Sequence, residues 1–231
     1  MRFGGYSRID GTVAFYQRVR ALLRADSIVL DVGCGRGVLA DDPNPVRRNL
    51  QILRGHCAQV IGLDVDRSGE HNPYLDEFRL IQGDGWPAAG ADLVISDYVL
   101  EHLSNPAGYF REAWRALVPG GFICIRTTNA LGYVALSARV IPERYHDRFL
   151  AGMRDGRDTF PTLYRCNSVR RIQRAMRAAG FDCVVWGHTA EPRYLEFSPT
   201  LYRASLWFQH LAPHWLAPTL FAFGQKPGAG D

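Results

Sequence analysis

Residues 29–37 run Val29-Leu30-Asp31-Val32-Gly33-Cys34-Gly35-Arg36-Gly37, so a short apolar stretch passes directly into three alternating glycines. The apolar stretch is typical of a buried strand. Glycines are needed in the turn that follows, because a side chain there would block the approach of a ligand to the backbone. These residues therefore predict a strand of an α/β sheet that ends in a ligand-binding loop.

Apolar runs and helical patterns alternate on both sides of this loop. The segment Thr12–Arg24 carries apolar residues at helical intervals and leads into the first strand, which starts at Ile28. Further strands are predicted at 60–63, 78–81, 93–96, 122–126, 181–186 and 219–223. This alternation predicts an α/β fold, with a Rossmann-like, mostly parallel sheet of seven strands and helices on both faces.

Two helices in the second half of the chain have clear boundaries. Asn105 is placed to cap a helix that has Pro106 in its first turn, and residues 119–121 end that helix before the next strand. Another helix is predicted to begin at 167–168 and to end at Gly180.

A long segment separates the fifth strand from this last helix. Residues 128–167 mix tyrosine, arginine and proline with apolar residues, and a plain connection of this length is uncommon inside a compact domain. We therefore predict a lid inserted after strand five. Together with a ligand-binding core at about 25–127 and a C-terminal helix and strands at 168–231, it forms a single domain of 231 residues.

The composition is that of an ordinary globular protein, with 47% hydrophobic and 22% charged residues. Although the formal net charge is +4, the basic residues are spread along the chain, and all 27 except Lys226 are arginines. The densest group, at 165–177, has helical spacing and is interpreted as a solvated helix face. A nucleic-acid partner is therefore not favoured.

Cysteine usage and hydropathy predict a cytoplasmic protein without a membrane span. The five cysteines contain no CxxC pair, and their odd number gives no complete disulfide framework. Residues 1–8 are polar and lack the apolar core of a signal peptide. The most apolar tract, 204–223, is interrupted by polar residues and two prolines, so it cannot form a continuous helix across a bilayer.

Three carboxylates accompany the first three predicted strands. Asp31 lies within the first strand, Asp64 ends the second, and Asp84 follows the third. Asp64 is placed to accept hydrogen bonds from both hydroxyls of a ribose, and Asp84 is placed to accept one from an adenine amino group. A glycine pattern alone is weak evidence, and these acids strengthen it.

In order and spacing, these motifs resemble those of the class I, Rossmann-like S-adenosylmethionine methyltransferases, specifically the small-molecule enzymes with the type 11 domain. The likeness covers about residues 25–127, and its later marks are the stretches 92–102 and 117–121. The connection at 39–55 departs from the family, because it is longer and richer in proline and arginine. S-adenosylmethionine is the cofactor that this resemblance implies, with S-adenosylhomocysteine as its product.

The resemblance also implies a cofactor site in which the glycine loop holds the methionine portion, Asp64 the ribose and Asp84 the adenine end. The implied cofactor-binding residues are Asp31, Gly33, Cys34, Gly35, Asp64, Val65, Asp84, Gly85, Ser96 and Tyr98. Ser96 and Tyr98 would lie beside the methionyl and sulfonium portions. Cys34 is expected to be a small residue beneath the cofactor and not a nucleophile.

A nicotinamide dehydrogenase is the competing interpretation, because it uses the same topology and needs glycines at the same turn. Two details disfavour it. The third glycine comes at GxGxG spacing and not at GxGxxG, and Asp31 would face a pyrophosphate of like charge. A sulfonium together with an ammonium group is a better neighbour for this carboxylate.

Methyl transfer is a direct displacement at carbon, so alignment of the nucleophile, the methyl group and the sulfur is the main catalytic task. A general base can remove the proton of a hydroxyl acceptor, and histidine suits that role near neutral pH. The candidate catalytic residues are His102 and Asp97, at the turn after the fourth strand, and His146 in the lid. Each has a structural alternative, as a helix cap, a turn residue and a surface residue respectively.

No metal site is predicted, since the histidines and cysteines lack ligand spacing. We predict an enzyme that O-methylates a small molecule, either a sugar or glycan precursor or a secondary metabolite. The tyrosines, arginines and asparagine of the lid suit a polar acceptor, although aromatic core packing explains them equally well. Two alternatives stay open, namely methylation of RNA or protein and a noncatalytic cofactor-binding module. The oligomeric state is also left open.

Overall fold

The computed structural model describes residues 10–83, 85–132, 160–190, 192 and 198–228. Its helices are α1 (Gly11–Leu22), α2 (Pro45–Gln51), α3 (Pro106–Ala116), α4 (Val169–Ala178) and α5 (Pro199–Leu211). Its strands are β1 (Ile28–Val32), β2 (Gln59–Asp64), β3 (Glu77–Leu80), β4 (Ala91–Asp97), β5 (Leu117–Thr128), β6 (Asp182–His188) and β7 (Thr219–Gln225). Short 3₁₀ turns occupy Val38–Asp41, Arg67–His71, Leu100–His102 and His214–Leu216.

These strands form one seven-stranded sheet in the order β3-β2-β1-β4-β5-β7-β6. The first five pair in parallel, whereas β7 runs antiparallel between β5 and β6. The predicted Rossmann-like, mostly parallel sheet of seven strands is therefore confirmed. The strand order runs from β1 through β2 to β3 on one side, and it then reverses to continue from β1 through β4 to β5 on the other. A reversal of this kind leaves a crevice at the carboxyl ends of β1 and β4.

The sheet separates two apolar cores, because alternate residues of a strand point to opposite faces. In β1, Val29 belongs to the core beneath α1, where Phe15 is fully buried. The adjacent Leu30 belongs to the opposite core, which contains Phe110 of α3 and Ile172 of α4. Strands covered on both faces become nearly continuous apolar runs, which is why the sequence indicated them clearly.

Capping residues set the helix ends near the predicted positions. The Asn105 side chain accepts a hydrogen bond from the Gly108 amide at 3.0 Å, and α3 begins at Pro106. Helix α4 ends at Ala178, and Gly180 follows with φ of 103°, a conformation that favours glycine.

The structure differs from the predicted elements at β5 and after the glycine loop, and it adds helix α5, which was not predicted from the sequence. Strand β5 begins at Leu117 and includes the stretch 119–121, which was expected to precede the strand. The reason is a pairing beyond β7, where the Lys226 carbonyl accepts from the Gly120 amide at 2.9 Å and the Lys226 amide donates to Gly121 at 2.8 Å. After the glycine loop, the unusual connection at 39–55 forms a 3₁₀ turn and then the short α2, which Asn44 caps.

Candidate active site

A cavity of about 310 Å³ opens at the carboxyl ends of β1, β2 and β4. Its walls come from the glycine loop, from the turn after β2, from Tyr16 of α1 and from Phe160. Four carboxylates line it, namely Asp31, Asp64, Asp66 and Asp97. The sheet thus gathers residues that are far apart in sequence into one acidic crevice, at the edge where open α/β sheets bind ligands.

All three glycines of the loop adopt left-handed backbone conformations, with φ of 75° at Gly33, 51° at Gly35 and 73° at Gly37. A Cβ at Gly33 would lie 2.3 Å from Val99 Cγ2, and one at Gly37 would lie 2.3 Å from Asn72 Oδ1. A Cβ at Gly35 would meet nothing within 4 Å. The outer two glycines therefore serve the packing of the loop itself, whereas Gly35 leaves open space above it.

Hydrogen bonds from β2 and from the turn after it hold the glycine loop in place. The Gly33 amide donates to the Leu63 carbonyl at 2.7 Å, which continues the β1–β2 pairing into the loop. Asn72 Nδ2 donates to the carbonyls of Cys34 and Gly35 at 3.0 and 3.1 Å. Sequence reasoning missed Asn72, because it belongs to no motif and reaches the loop only through the fold.

Asp64 is buried at the end of β2, and both of its oxygens accept backbone hydrogen bonds. One accepts from the Gly35 amide at 2.9 Å and the other from the Asp66 amide at 3.0 Å. Each carboxylate oxygen has two lone pairs, so further acceptor capacity remains toward the cavity. This arrangement fixes Asp64 against the glycine loop.

Asp31 is only partly exposed, and its pKa is raised to about 7. The main cause is burial, and the negative charges of Asp97 and Asp64 raise the pKa further. Burial also raises the pKa of the Cys34 thiol, which keeps it protonated and agrees with a non-nucleophilic residue. Burial and the neighbouring carboxylates make an ionised Asp31 costly, so the site favours a ligand that brings positive charge.

Asp97, a predicted catalytic residue, lies in a network of buried polar side chains. Arg126 Nε and Nη2 donate to its two carboxylate oxygens at 2.6 and 2.5 Å, and the Tyr16 hydroxyl donates at 3.1 Å. Arg126 Nη1 also donates to Thr12 Oγ1 at 2.8 Å, which ties α1 to the sheet. Both oxygens of Asp97 are therefore engaged by a guanidinium that is itself buried. Sequence reasoning missed Arg126.

The other predicted cofactor residues differ in their access to the crevice. Ser96 is fully buried between Ile95 and Asp97, which line the cavity, so alternation along β4 turns its side chain away. Tyr98 follows β4 and is 43% exposed, with φ of 56° and its ring over the Arg126 guanidinium. Val65 and Gly85 are exposed in the loops after β2 and β3. Asp84 and His146 lie outside the described residues.

His102 lies beside the segment that contributes Phe160 to the cavity wall. Its Nδ1 lies 3.1 Å from the Pro161 carbonyl oxygen, and its ring centroid is 6.3 Å from that of Phe160, which lines the cavity. A carbonyl only accepts hydrogen bonds, so the contact assigns the proton of a neutral imidazole to Nδ1. Nε2 then carries the free lone pair.

The segment that carries Phe160 and Pro161 is anchored on a buried polar cluster. The amides of Leu163 and Tyr164 donate to the Glu101 carbonyl at 2.7 and 3.1 Å. The Glu101 carboxylate accepts from the hydroxyls of Thr127 and Thr128 at 2.7 and 3.0 Å. The described ends of the predicted lid, residues 128–132 and 160–167, thus rest on the sheet, and the polar residues of this cluster serve the fold.

The described part of the chain contains neither a metal-binding cluster nor a membrane-spanning helix. No group of three or more histidine, cysteine or acidic side chains there is arranged to hold a metal ion. No helix there is both long enough and apolar enough to cross a membrane.

The chain is similar to known methyltransferases. A family model described as a methyltransferase domain matches residues 8–185. The chain is 28% identical over 137 residues to a ubiquinone biosynthesis O-methyltransferase of Caulobacter vibrioides, covering 52% of this chain and 51% of that protein. It is 32% identical over 124 residues to a probable S-adenosylmethionine-dependent methyltransferase of Mycolicibacterium smegmatis, covering 51% and 44%. The chain thus matches about half the length of these curated relatives.

Solved structures share its fold at low sequence identity. A S-adenosylmethionine-dependent methyltransferase of Archaeoglobus fulgidus superposes with a TM-score of 0.57 at 15% identity, covering 93% of this chain and 92% of that one. The fold, the glycine loop with its acids, and a family model that spans most of the chain all agree. The chain therefore belongs to the class I S-adenosylmethionine-dependent methyltransferase family.

Proposed function

We propose that this chain transfers the methyl group of S-adenosylmethionine to a hydroxyl of a small molecule, either a sugar or glycan precursor or a secondary metabolite. The observation that carries the proposal is the placement of Asp31 and Asp64 around the open space at Gly35. A ligand that bears both a sulfonium and an ammonium group offsets the charge of such a crevice.

The residues present fit this cofactor. Asp64 has acceptor capacity left for the ribose hydroxyls, and Asp31 offers its carboxylate to the cationic methionine portion. Gly33, Gly35 and Cys34 form the floor of the loop, and Tyr98 is assigned to the methyl-bearing end. Ser96 is left out of this assignment, because its buried side chain points away from the cavity. We assign Val65, Asp84 and Gly85 to the adenine end. When bound, the sulfonium supplies a methyl group that is already activated for displacement.

We assign the general base to His102. Its Nε2 takes the proton of the acceptor hydroxyl, while the Pro161 carbonyl holds the Nδ1 proton and orients the ring. Asp97 is less suited to this role, because Arg126 and Tyr16 engage its oxygens. His146 is the competing base. Comparing the activities of His146→Ala and His102→Ala decides whether the base lies on the predicted lid or on the turn after β4.

The acceptor class is argued from the charge of the crevice and from the relatives. Acidic walls disfavour a polyanion such as RNA. The relatives named as ubiquinone biosynthesis O-methyltransferases methylate oxygen by name, which supports a hydroxyl acceptor here. A cavity of this size leaves room for only a small acceptor beside the cofactor. We place that acceptor next to Phe160, which lines the cavity, and the neighbouring His102.

The test is turnover with saturating cofactor, on an acceptor found by metabolite profiling of a deletion strain. His102→Ala should lower kcat by about a hundredfold while cofactor affinity stays nearly unchanged, because its partner is the acceptor hydroxyl. The matched control is His56→Ala, an exposed histidine in the loop before β2. Full activity of His102→Ala with loss in His146→Ala would move the base to the lid, and cofactor binding without turnover on any hydroxyl acceptor would contradict the proposal.

A further inference from the structure

Helix α5 presents large apolar side chains to solvent. Trp207 is 70% exposed, Leu211 66% and Leu201 47%. Together with Ala204 they recur at intervals of three and four residues, so they share one side of the helix. Helices of soluble domains turn their apolar stripe inward, and contiguous exposed apolar surface marks an interaction site.

This apolar surface continues beyond the end of α5. Trp215, on the 3₁₀ turn that follows, is 57% exposed. It lines a second cavity of about 340 Å³ together with Leu131 and with Arg170 at the start of α4. Leu131 is also exposed, at 45%. Trp215, four residues after the end of α5, therefore lies beside the first turn of α4.

Helix α4 adds positive charge next to this surface. Arg170, Arg171 and Arg174 are exposed on one side of the helix, and neither α4 nor α5 contains an acidic residue. Within the described ranges, none of these three arginines forms an ion pair with a carboxylate. Trp215 thus lies beside Arg170 across the second cavity, and Arg171 and Arg174 continue the exposed positive charge along α4.

We infer that the α5 face, Trp215 and the α4 arginines form a docking surface for an anionic lipid bilayer. Tryptophan favours the boundary between apolar chains and headgroups, because it is apolar with one polar N–H. Arginines beside an apolar helix face attract anionic headgroups. A second copy of the chain suits the surface less well, since a two-fold contact would bring the two arginine stripes together.

The docking surface lies at the same sheet edge as the candidate active site. Asn129 directly follows β5, and its Nδ2 donates to the carbonyls of Trp215 and Ala217 at 2.8 and 2.7 Å. The first residue of β7, Thr219, pairs with Thr128 at the carboxyl end of β5. Docking would therefore bring the crevice edge close to the bilayer. The inference rests on the surface alone and does not depend on methyl transfer.

The experiment is co-sedimentation of the full chain with phosphatidylcholine vesicles that do or do not contain phosphatidylglycerol. The chain should bind the phosphatidylglycerol vesicles, and salt should weaken the binding. The double variant Trp207→Ser with Leu211→Ser should lower the partition coefficient by about tenfold or more, since both side chains lose their burial in lipid. Val184→Ser, which removes an apolar side chain 64% exposed on β6, should have no effect.

A second variant pair tests the charge. Arg170→Gln with Arg174→Gln should lower binding to phosphatidylglycerol vesicles by about tenfold or more. The control, Arg54→Gln with Arg67→Gln, removes the same charge from exposed arginines elsewhere and should bind as the wild type does.

Thermal midpoints near that of the wild type verify that each variant is folded, and Trp215→Ser tests the same surface from a different element. The inference is overturned if the wild-type chain ignores phosphatidylglycerol vesicles or if Trp207→Ser with Leu211→Ser binds them unchanged. It is also overturned if light scattering finds a wild-type dimer that this double variant breaks, because a second copy would then occupy the face.

Discussion

At the scale of single residues, the crevice concentrates negative charge that the protein offsets only in part. Asp31, Asp64 and Asp97 all line one cavity, but only Asp97 is paired with a guanidinium. This environment destabilises the ionised form of Asp31, whose pKa is raised to about 7 by burial and by the charges of Asp97 and Asp64. A folded-state pKa above the unfolded value means that the folded chain holds an extra proton between about pH 4 and pH 7.

Asp31→Asn removes this dependence of stability on pH, and the direction of its effect follows from the raised pKa of Asp31. The contribution of Asp31 to stability is present below about pH 4 and is lost as the pH rises through about 7. The variant should therefore raise the melting temperature of the cofactor-free protein at about pH 8, and change it little at about pH 4. Melting curves at both pH values measure this. Equal shifts at the two pH values would show that Asp31 is not held at a raised pKa.

At the scale of elements, the glycines of the loop have two different roles, one in folding and one in ligand binding. Gly33 and Gly37 have no room for a Cβ, whereas Gly35 faces open space. A side chain at Gly35 would therefore occupy space needed by a ligand, whereas one at Gly33 or Gly37 would clash with the protein itself.

Gly35→Ala tests this division, with Gly55→Ala as its control. Both glycines have positive φ, of 51° and 80°, and a Cβ at either would meet nothing within 4 Å. Each substitution should cost about 1 kcal/mol in the free energy of unfolding, because alanine is strained in this conformation. Only Gly35→Ala should also weaken S-adenosylmethionine binding, by about tenfold or more in calorimetry, as its methyl group enters the cavity. Equal affinities would show that the cofactor does not approach the loop.

The strands and the glycine loop were predictable from local sequence, whereas the supports of the site were not. Strands buried on both faces must be apolar runs, and a tight turn must contain glycine, so each leaves a signal within a few residues. The Arg126–Asp97 pair spans 29 positions, and the contact of Asn72 with Gly35 spans 37. Such contacts leave no periodic pattern in the sequence, because they form only when the sheet brings distant segments together.

At the scale of the whole molecule, a ligand that binds only the folded chain stabilises all of it. S-adenosylmethionine at about a hundred times its Kd should add about 2.7 kcal/mol, which corresponds to a rise of about 5–10 °C in Tm for a chain of this size. Asp64→Ala should remove most of this rise, because it loses the proposed ribose acceptor. Asp26→Ala, at an exposed site before β1, should keep it. No thermal shift in the wild type would contradict cofactor binding in this cavity.

The position of β7 has a consequence for how the chain folds as it is synthesised. β7 is the last strand in sequence, yet it lies between β5 and β6 and pairs with both along seven residues each. Until residues 219–225 leave the ribosome, β5 presents an open edge and β6 has no neighbour in the sheet. Unpaired strand edges invite pairing with other chains. Partly made chains that already contain the whole cavity are therefore the form most exposed to aggregation, and residues 219–225 must emerge before the sheet is complete.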